Sequence, residues 1–474
     1  MNSAVKATLI IPVENQVREL DPKLLLAYVA AKRGFSCILG FRREMHFHIS
    51  SFPPGIYLSK SMTAASDIMF QIMRNLGHVI VAWDEEALVH LPPETYFPRR
   101  LSPVAMEFVS HMFAWGQDNA ELWRQYPQLP NGAEIHVTGN PRNDLLRPEI
   151  RHYYDKTVEE LRKRHGDFIL INTNFNHVNA FYPGLNLFVP PDSPGKKPRY
   201  GRAAKGMTRE YAEGLRDHKQ AIFEQFQQLI PALEQTFPGY NIVVRPHPTE
   251  NQETYRKIAG QCKRVRVTNE GNVVPWLMAA KTVIHNGCTT GVEAYVMGIP
   301  AISYRAAVND YYDYGFYRLP NLLSYQCFDF EELRLTLEKI LAGELGAAGG
   351  DERQTLVDQY LAALDGPLAC EHIVDVCEKI RDGQSETAKP ALRHHLRGQC
   401  MATMRTLKRK LKARLPGSRK KPEFHRHRYP EVPLEEIRAR ISLFQQVLGD
   451  SSELQVEQIS DQFFRISGCR RRPS

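Results

Sequence analysis

No two of the eight cysteines in this 474-residue chain form a C-x-x-C pair, which removes the usual zinc and dithiol signatures. His46-Phe47-His48 has no cysteine nearby and reads as the polar face of a strand. No apolar stretch approaches the roughly 20 residues of a membrane span; His78 to Trp83 is typical of the longest. The N-terminus lacks a charged region followed by an apolar one, so no signal peptide is read and a cytoplasmic location is expected. The cysteines are then expected as free thiols. No repeat recurs at a fixed period, which argues against repeat architectures.

What is present is ordinary in bulk and uneven in place. Hydrophobic content of 43% and aromatic content of 10% suffice for a sizeable core. The net charge is +8. Residues 389–428 hold fourteen Lys and Arg and one acid, Glu423, so that segment carries +13 and the remainder −5. The basic character belongs to one C-terminal segment.

Strand and helix signals alternate from the start. Ala7 to Val13 reads as a buried parallel strand. Asp21-Pro22 reads as the cap and first residue of a helix. Further strands are expected at Ser36–Leu39, Gly55–Leu58, His78–Trp83, Met112–Trp115 and Ile135–Thr138. Residues 147–166 read as a charged helical connection. A second series begins at Asp167–Asn172 and continues through Asn241–Val244, Val265–Val267, Thr282–Ile284 and Ile299–Tyr304. Asn176 to Gly206 reads as a long loop, and Ile222 to Leu233 has helical spacing. Such alternation predicts doubly wound parallel sheets. The expected units are 1–146, an acceptor-side Rossmann-like lobe; 147–166, the connection; 167–381, a nucleotide-side lobe; and 382–474, a basic helical extension ending in a polar tail.

Ligands bind doubly wound sheets at the carboxyl ends of strands, and four groups of residues fall there. Asp84-Glu85-Glu86 follows the strand ending at Trp83. Mutual repulsion is expected to raise the pKa of one of them, which suits a general base; the bland reading is a helix start carrying acids. Arg245-Pro246-His247-Pro248 follows Val244, with prolines fixing a polar pair suited to a phosphate, or else forming a structural turn. His285-Asn286-Gly287-Cys288-Thr289-Thr290-Gly291-Val292-Glu293 is strand, glycine turn and helix start. It reads as an anion site, with Glu293 placed to accept from a ribose, or as a simple helix cap. It lacks the G-K-[ST] ending of a P-loop and the G-x-G-x-x-G fingerprint. Asn172-Thr173-Asn174 offers short polar groups, Asn172 and Asn174, to a donor.

Arg-Pro-His-Pro, followed by His-Asn-Gly-Cys-Thr-Thr-Gly-Val-Glu-Ala-Tyr and then Gly298-Ile299-Pro300-Ala301-Ile302-Ser303-Tyr304, resembles the nucleotide-binding lobe of GT-B enzymes that build bacterial surface polysaccharides. The likeness spans about residues 7 to 345 and extends to polysialyltransferases, capsule Kdo transferases and glycerophosphate polymerases. Those sialyltransferases carry an acidic pair followed by Gly, a His-Pro motif and a Ser-Ser/Thr motif. Asp84-Glu85-Glu86 resembles the first, with Ala87 in place of the Gly. His247-Pro248 resembles the second, and Thr289-Thr290 the third, led here by Cys288. The resemblance implies two Rossmann-like lobes facing a cleft. It implies an acid of the trio as acceptor base and His247 beside the leaving phosphate. It implies Arg245, His285, Asn286, Gly287, Thr289, Thr290, Gly291 and Glu293 near the nucleotide. A CMP-activated ulosonic acid is the preferred donor. The expected acceptor is a glycan or lipid-linked glycan, and neither metal nor cofactor is expected beyond the nucleotide-sugar.

The basic segment 389–428, with Lys408 to Leu415 at its centre, suits an anionic membrane surface, at roughly 1 kcal/mol per basic residue near lipid. A peripheral position at the inner membrane follows. It lacks the interleaved aromatics of a nucleic-acid binder, and none is expected. Alternatives on the same frame are a UDP-sugar transferase or 2-epimerase, a CDP-glycerol glycerophosphotransferase and a non-enzymatic assembly protein.

Overall fold

The computed structural model describes residues 7–191, 197–313, 318–383, 390–414 and 429–468. Two compact units form: Met1–Tyr153 with Thr355–Ser474, and Tyr154–Gln354. Each is an α/β unit around a largely parallel sheet.

In the first unit six strands run parallel: β1 (Thr8–Val13), β2 (Ser36–Phe41), β3 (Gly55–Ser59), β4 (Val79–Ala82), β5 (Val109–Ala114) and β6 (Glu134–Val137). Their order is β2-β1-β3-β4-β5-β6. Every residue of β1 is buried, as a strand covered on both faces must be. The helix Gln16–Lys32 buries every residue from Glu19 to Ala31. Strand order reverses between β1 and β3, so the crevice of this sheet lies at their carboxyl ends.

The second unit holds β7 (Phe168–Thr173), a small β8–β9 pair (Phe188–Val189 and Arg199–Tyr200), β10 (Asn241–Pro246), β11 (Val265–Val267), β12 (Thr282–His285), β13 (Ala301–Tyr304) and β14 (Tyr325–Cys327). The main sheet is parallel in the order β11-β10-β7-β12-β13-β14. That is the 3-2-1-4-5-6 winding of dinucleotide-binding folds, with its switch point between β7 and β12. The helix Arg209–Thr236 packs Phe223, Phe226, Leu229, Ile230 and Leu233 on this sheet, the face its periodicity predicts.

Several sequence expectations are corrected. The chain returns to the first unit after residue 354, so the second unit ends there rather than at 381. The helix Ala369–Gly383 is anchored in the first unit because Asp144 accepts from Ala369 N (2.8 Å) and Cys370 N (2.9 Å) at its first turn. The expected connection 147–166 is divided between the units near Tyr153. The polar tail is instead a hairpin, β15 (Leu454–Ser460) and β16 (Phe463–Gly468). It joins the edge of the first sheet antiparallel to β2, burying Phe463, Phe464 and Ile466. Gly40 permits this pairing, since a Cβ there would lie 2.3 Å from Gln462 O.

Locally, the first helix starts at Gln16 and runs through Asp21-Pro22, whose acid pairs with Arg440 instead of capping. His46-Phe47-His48 ends a helix, Arg42–His48, with His46 Nε2 2.7 Å from Tyr57 Oη. The loop after Asn176 carries the β8–β9 pair and a small core of Leu187, Phe188, Ala204, Ala212 and Leu215. The basic segment is in part a helix, Leu392–Ala413. Lys389 and residues 415–428 lie outside the described residues, as do residues 1–6, 192–196 and the last six of the tail. The seven described cysteines are free. No helix among the described residues is long and apolar enough to cross a membrane.

Candidate functional site

Polar residues collect at the carboxyl end of each sheet, and the two collections differ in kind. In the first unit they form a charge network. Lys23 reaches Glu19 (2.8 Å), Glu85 (3.3 Å) and Pro12 O (2.8 Å). Lys60, after β3, reaches Glu19 (2.8 Å) and Glu14 (3.1 Å), and Arg42 also holds Glu14 (3.0 Å). These groups surround the switch point of the first sheet.

The acidic trio belongs to this network. Asp84 is buried, held by Arg100 Nε (2.8 Å) and Nη2, by Tyr96 Oη (2.8 Å) and by Glu86 N (3.1 Å). Glu85 is buried and accepts from Trp83 Nε1 (3.0 Å), while its Oε2 finds no hydrogen-bond partner. Glu86 has a side chain 44% exposed, paired with Arg18 (3.0 Å). The expected upward shift is overturned for Glu86. Arg18 pulls it down, burial pushes it up, and Arg100 and Lys60 add to the pull, leaving it at about 2. Cations outnumber the like charges that the sequence alone displays. Burial likewise raises Glu14, but Arg42 and Lys60 outweigh it and hold the group at about 2.

In the second unit the carboxyl ends of β10, β7 and β12 lie side by side. Asn172 stands in register with Arg245 on one side and His285 on the other. Asn172 is 3% exposed, and neither its Oδ1 nor its Nδ2 has a hydrogen-bond partner. Buried side-chain amides are rarely left so. Beyond it, the Asn286 amide clasps the backbone of Asn174, accepting from N (2.9 Å) and donating to O (3.3 Å). Asn174 Oδ1 is itself unpartnered.

His247 is seated by backbone and side chain together. Its N–H donates to Thr173 O (3.0 Å) and to Glu250 Oε1 (3.0 Å). Its Nδ1 accepts from Thr249 N (3.3 Å) and lies 2.8 Å from Thr249 Oγ1. A neutral ring so held carries its proton on Nε2. Glu250 is buried and also accepts from Thr173 Oγ1 (2.9 Å) and Tyr255 Oη (2.6 Å). Burial raises its pKa against those donors. Glu250 and Tyr255 were not singled out from sequence, although Glu250 lies three residues past His247.

Two expected phosphate ligands have other work. Arg245 donates to Glu270 O (2.8 Å) and Gly271 O (3.1 Å) and stacks over Trp276 at 4.7 Å. Burial lowers its pKa to about 9. It secures the loop after β11, because the strand carries its side chain inward. His285 is fully buried, accepting at Nδ1 from Gly287 N (3.0 Å) and lying 2.8 Å from Ser324 Oγ through Nε2. Burial holds it neutral, at about 3. Gly291 packs on this ring; a Cβ there would lie 2.4 Å from His285 Nε2. Gly287 takes the turn at φ +78°.

The helix Thr290–Val296 has seven residues. Thr289 and Thr290 are half-buried at its start, and Thr290 Oγ1 is 2.6 Å from Cys288 Sγ. Glu293 is buried in the first turn. Beside Asn286 lies a small recess lined by Lys219, Ile222, Tyr304, Arg305, Asp313 and Asn321. Burial lowers Lys219 to about 7 against the opposing pull of Asp313. Arg305 pairs with Asp313 (2.9 Å). Nothing in the sequence marks Lys219, which sits in the middle of a long amphipathic helix.

No family model matches the chain, and no curated protein matches it. Among solved structures, the wall teichoic acid polymerase TagF is similar at a TM-score of 0.50 and 12% identity, over 80% of this chain and 90% of that one. The UDP-GlcNAc 2-epimerase of Methanocaldococcus jannaschii, in complex with UDP-GlcNAc and UDP, has a TM-score of 0.47 and 12% identity, over 79% and 100%. The UDP-GlcNAc 2-epimerase of Neisseria meningitidis, bound to UDP-GlcNAc, has 0.46 and 13%, over 79% and 100%. The likeness to TagF bears out the fold: two Rossmann-like α/β lobes of the GT-B class.

Proposed function

We propose that this chain is a nucleotide-dependent glycosyltransferase of bacterial surface polysaccharide or lipid-linked glycan. The observation that carries the reading is the unpaired, buried amide of Asn172 at the switch point of the second sheet. A doubly wound fold binds its ligand there, and a buried amide without a partner is costly unless a ligand supplies one.

The donor's nucleotide is assigned to the second unit, against Asn172, Asn174, Asn286, Thr289, Thr290 and Glu293. His247, with its proton on Nε2, donates to the phosphate oxygen as the bond to the sugar breaks. Arg245 and His285 act one step back, holding the loops that present these groups. Lys219 and Arg305 line the recess beside Asn286 together with Asp313, which pairs with Arg305. No metal is part of the proposal. Activity that fell with a chelator and returned with Mg²⁺ or Mn²⁺ would remove the metal-free part.

In the first unit Glu86 is the member of the trio that reaches solvent, and the acceptor hydroxyl is assigned to it. Its pairing with Arg18 must loosen before it can take a proton. Asp84 and Glu85 hold the strand end.

The preferred donor, a CMP-activated ulosonic acid of the Kdo or sialic kind, rests on the His-Pro and Thr-Thr motifs. A CDP-glycerol glycerophosphotransferase is the second reading, favoured by Arg245-Pro246-His247-Pro248. Attachment to an anionic membrane is part of the proposal. The helix Leu392–Ala413 turns Gly398 and Ala402 inward. It leaves Leu392, Leu396, Met404, Leu407 and Leu411 exposed, with Arg393, Arg397, Lys408 and Lys410 among them. Such a face suits the headgroup boundary of a bilayer.

Thermal-shift binding of CMP, UDP, GDP and CDP-glycerol, to wild type and His247→Ala, tests the reading. A ligand at 100 times its Kd adds about 2.7 kcal/mol to the folded state. A shift with CMP, reduced in His247→Ala, supports the ulosonic-acid transferase. A shift with CDP-glycerol favours the second reading, and one with UDP moves the assignment to a hexose transferase or epimerase. No shift with any nucleotide would sink the enzyme reading.

A further inference from the structure

The outer strand of the first sheet, β6, lies beside β5. In their parallel register His111 stands opposite Glu134, and Phe113 opposite His136. Alternate residues of a strand share a face, so His111, Glu134 and His136 emerge together on one side of the sheet. His136 Nε2 lies 3.5 Å from Glu134 Oε2, and His111 Nε2 lies 3.8 Å from Glu134 Oε1. The two imidazoles stack at 5.3 Å between centroids, 12° from parallel. One ligand atom from each residue falls within 4.8 Å of the others.

Two details separate this cluster from a casual surface pair. His111 Nδ1 and His136 Nε2 are buried and lack any hydrogen-bond partner. A buried imidazole nitrogen without a partner is costly, and a cation beside Glu134 would supply one to His136 Nε2, the atom that faces the carboxylate. The two carboxylate–imidazole separations, 3.5 and 3.8 Å, are close to the roughly 3.4 Å between ligand atoms that bonds of about 2.0–2.2 Å give in tetrahedral geometry.

We propose that His111, Glu134 and His136 form a binding site for a late first-row divalent cation of the Zn²⁺ class. Two imidazoles and one carboxylate match that class rather than Mg²⁺ or Ca²⁺, which prefer all-oxygen shells. Three protein ligands leave the fourth position to water or to a group on another molecule. The ion would tie β6 to β5 at the open edge of the sheet. The site takes no part in the transferase reading and stands or falls separately. It escaped the sequence because its ligands come from two strands, 23 and 25 residues apart.

The test is a Zn²⁺ titration of the full chain, freed of metal, against a chromophoric chelator. Wild type is compared with His136→Ala, His111→Ala and Glu134→Gln. Glu134 has a side chain 62% exposed, so its amide variant tests the site without disturbing the core. Wild type is expected to bind one equivalent that both histidine variants lose, and Glu134→Gln is expected to bind it at least tenfold more weakly. Zn²⁺ should raise the melting temperature of wild type and leave that of Glu134→Gln unmoved. Equal stoichiometry and equal affinity in wild type and Glu134→Gln would overturn the site.

Discussion

Replacing Asn172 by Ala separates a ligand group from a packing group. In most buried positions, removing a polar side chain breaks hydrogen bonds and costs about 1–3 kcal/mol. Asn172 has none to break, since both its amide atoms are buried and unpartnered. Truncation relieves the amide's desolvation, about 1–3 kcal/mol, and loses some packing, on the order of 1 kcal/mol. The free protein is therefore expected to be unchanged or more stable by about 1–2 kcal/mol on these magnitudes, while nucleotide binding falls at least tenfold. Two units make a single unfolding transition a poor measure. Hydrogen exchange over β7 in the free protein, with nucleotide titration alongside, reads both effects locally. A variant that exchanges faster over β7 yet binds nucleotide normally would refute the assignment.

Gly291→Ala should destabilise the second unit by roughly 1–3 kcal/mol through overpacking against His285. His285→Ala in the same chain should recover part of that loss by opening space, which a double-mutant cycle measures. Lys219→Met should stabilise the protein most below pH 7. The folded pKa near 7 is below the unfolded value of about 10.4. The burial cost is therefore full below 7, shrinks as pH rises between the two and is gone above the higher, which melting curves from pH 6 to 10.5 would show. Glu86 and Glu14 are depressed to about 2, so their contribution is present above roughly pH 4.3 and lost as pH falls toward 2. Glu86→Gln should flatten that acid limb, by a modest amount because the half-exposed pair is screened. Leu396→Glu with Leu407→Glu should abolish co-sedimentation with anionic vesicles while leaving neutral vesicles, and folding, unaffected; retained co-sedimentation would remove the membrane surface.

How far the site could be read ahead depends on what each residue answers to. His247 and Asn286 were legible because strand, turn and helix signals put them at strand ends. Arg245 and His285 came from the same motifs, yet their side chains serve the loop after β11 and the turn at Gly287. A motif names a position along a strand but not the direction its side chain takes among neighbours from other strands. The acidic trio shows the same limit for charge. Repulsion among Asp84, Glu85 and Glu86 is visible in sequence. The answering cations come from three other places in the chain, Arg18 and Lys23 from one helix, Lys60 and Arg100, and are not.

The alternating pattern of apolar strands and amphipathic helices determined, from sequence alone, that both units are doubly wound. Burial on both faces of a parallel sheet demands near-continuous apolar runs, and those survive in one dimension. Which chain segments share a unit was decided only in three dimensions. Residues 355 onward and the β15–β16 hairpin complete the first sheet through pairing with β2 and through Asp144 capping a helix 225 residues away. Strand pairing and carboxylate caps depend on distance in space, and no local pattern encodes the distant partner. The Asn172 amide, the Lys219 recess and the His111–Glu134–His136 face arise in the same way, from register between strands and helices far apart in sequence.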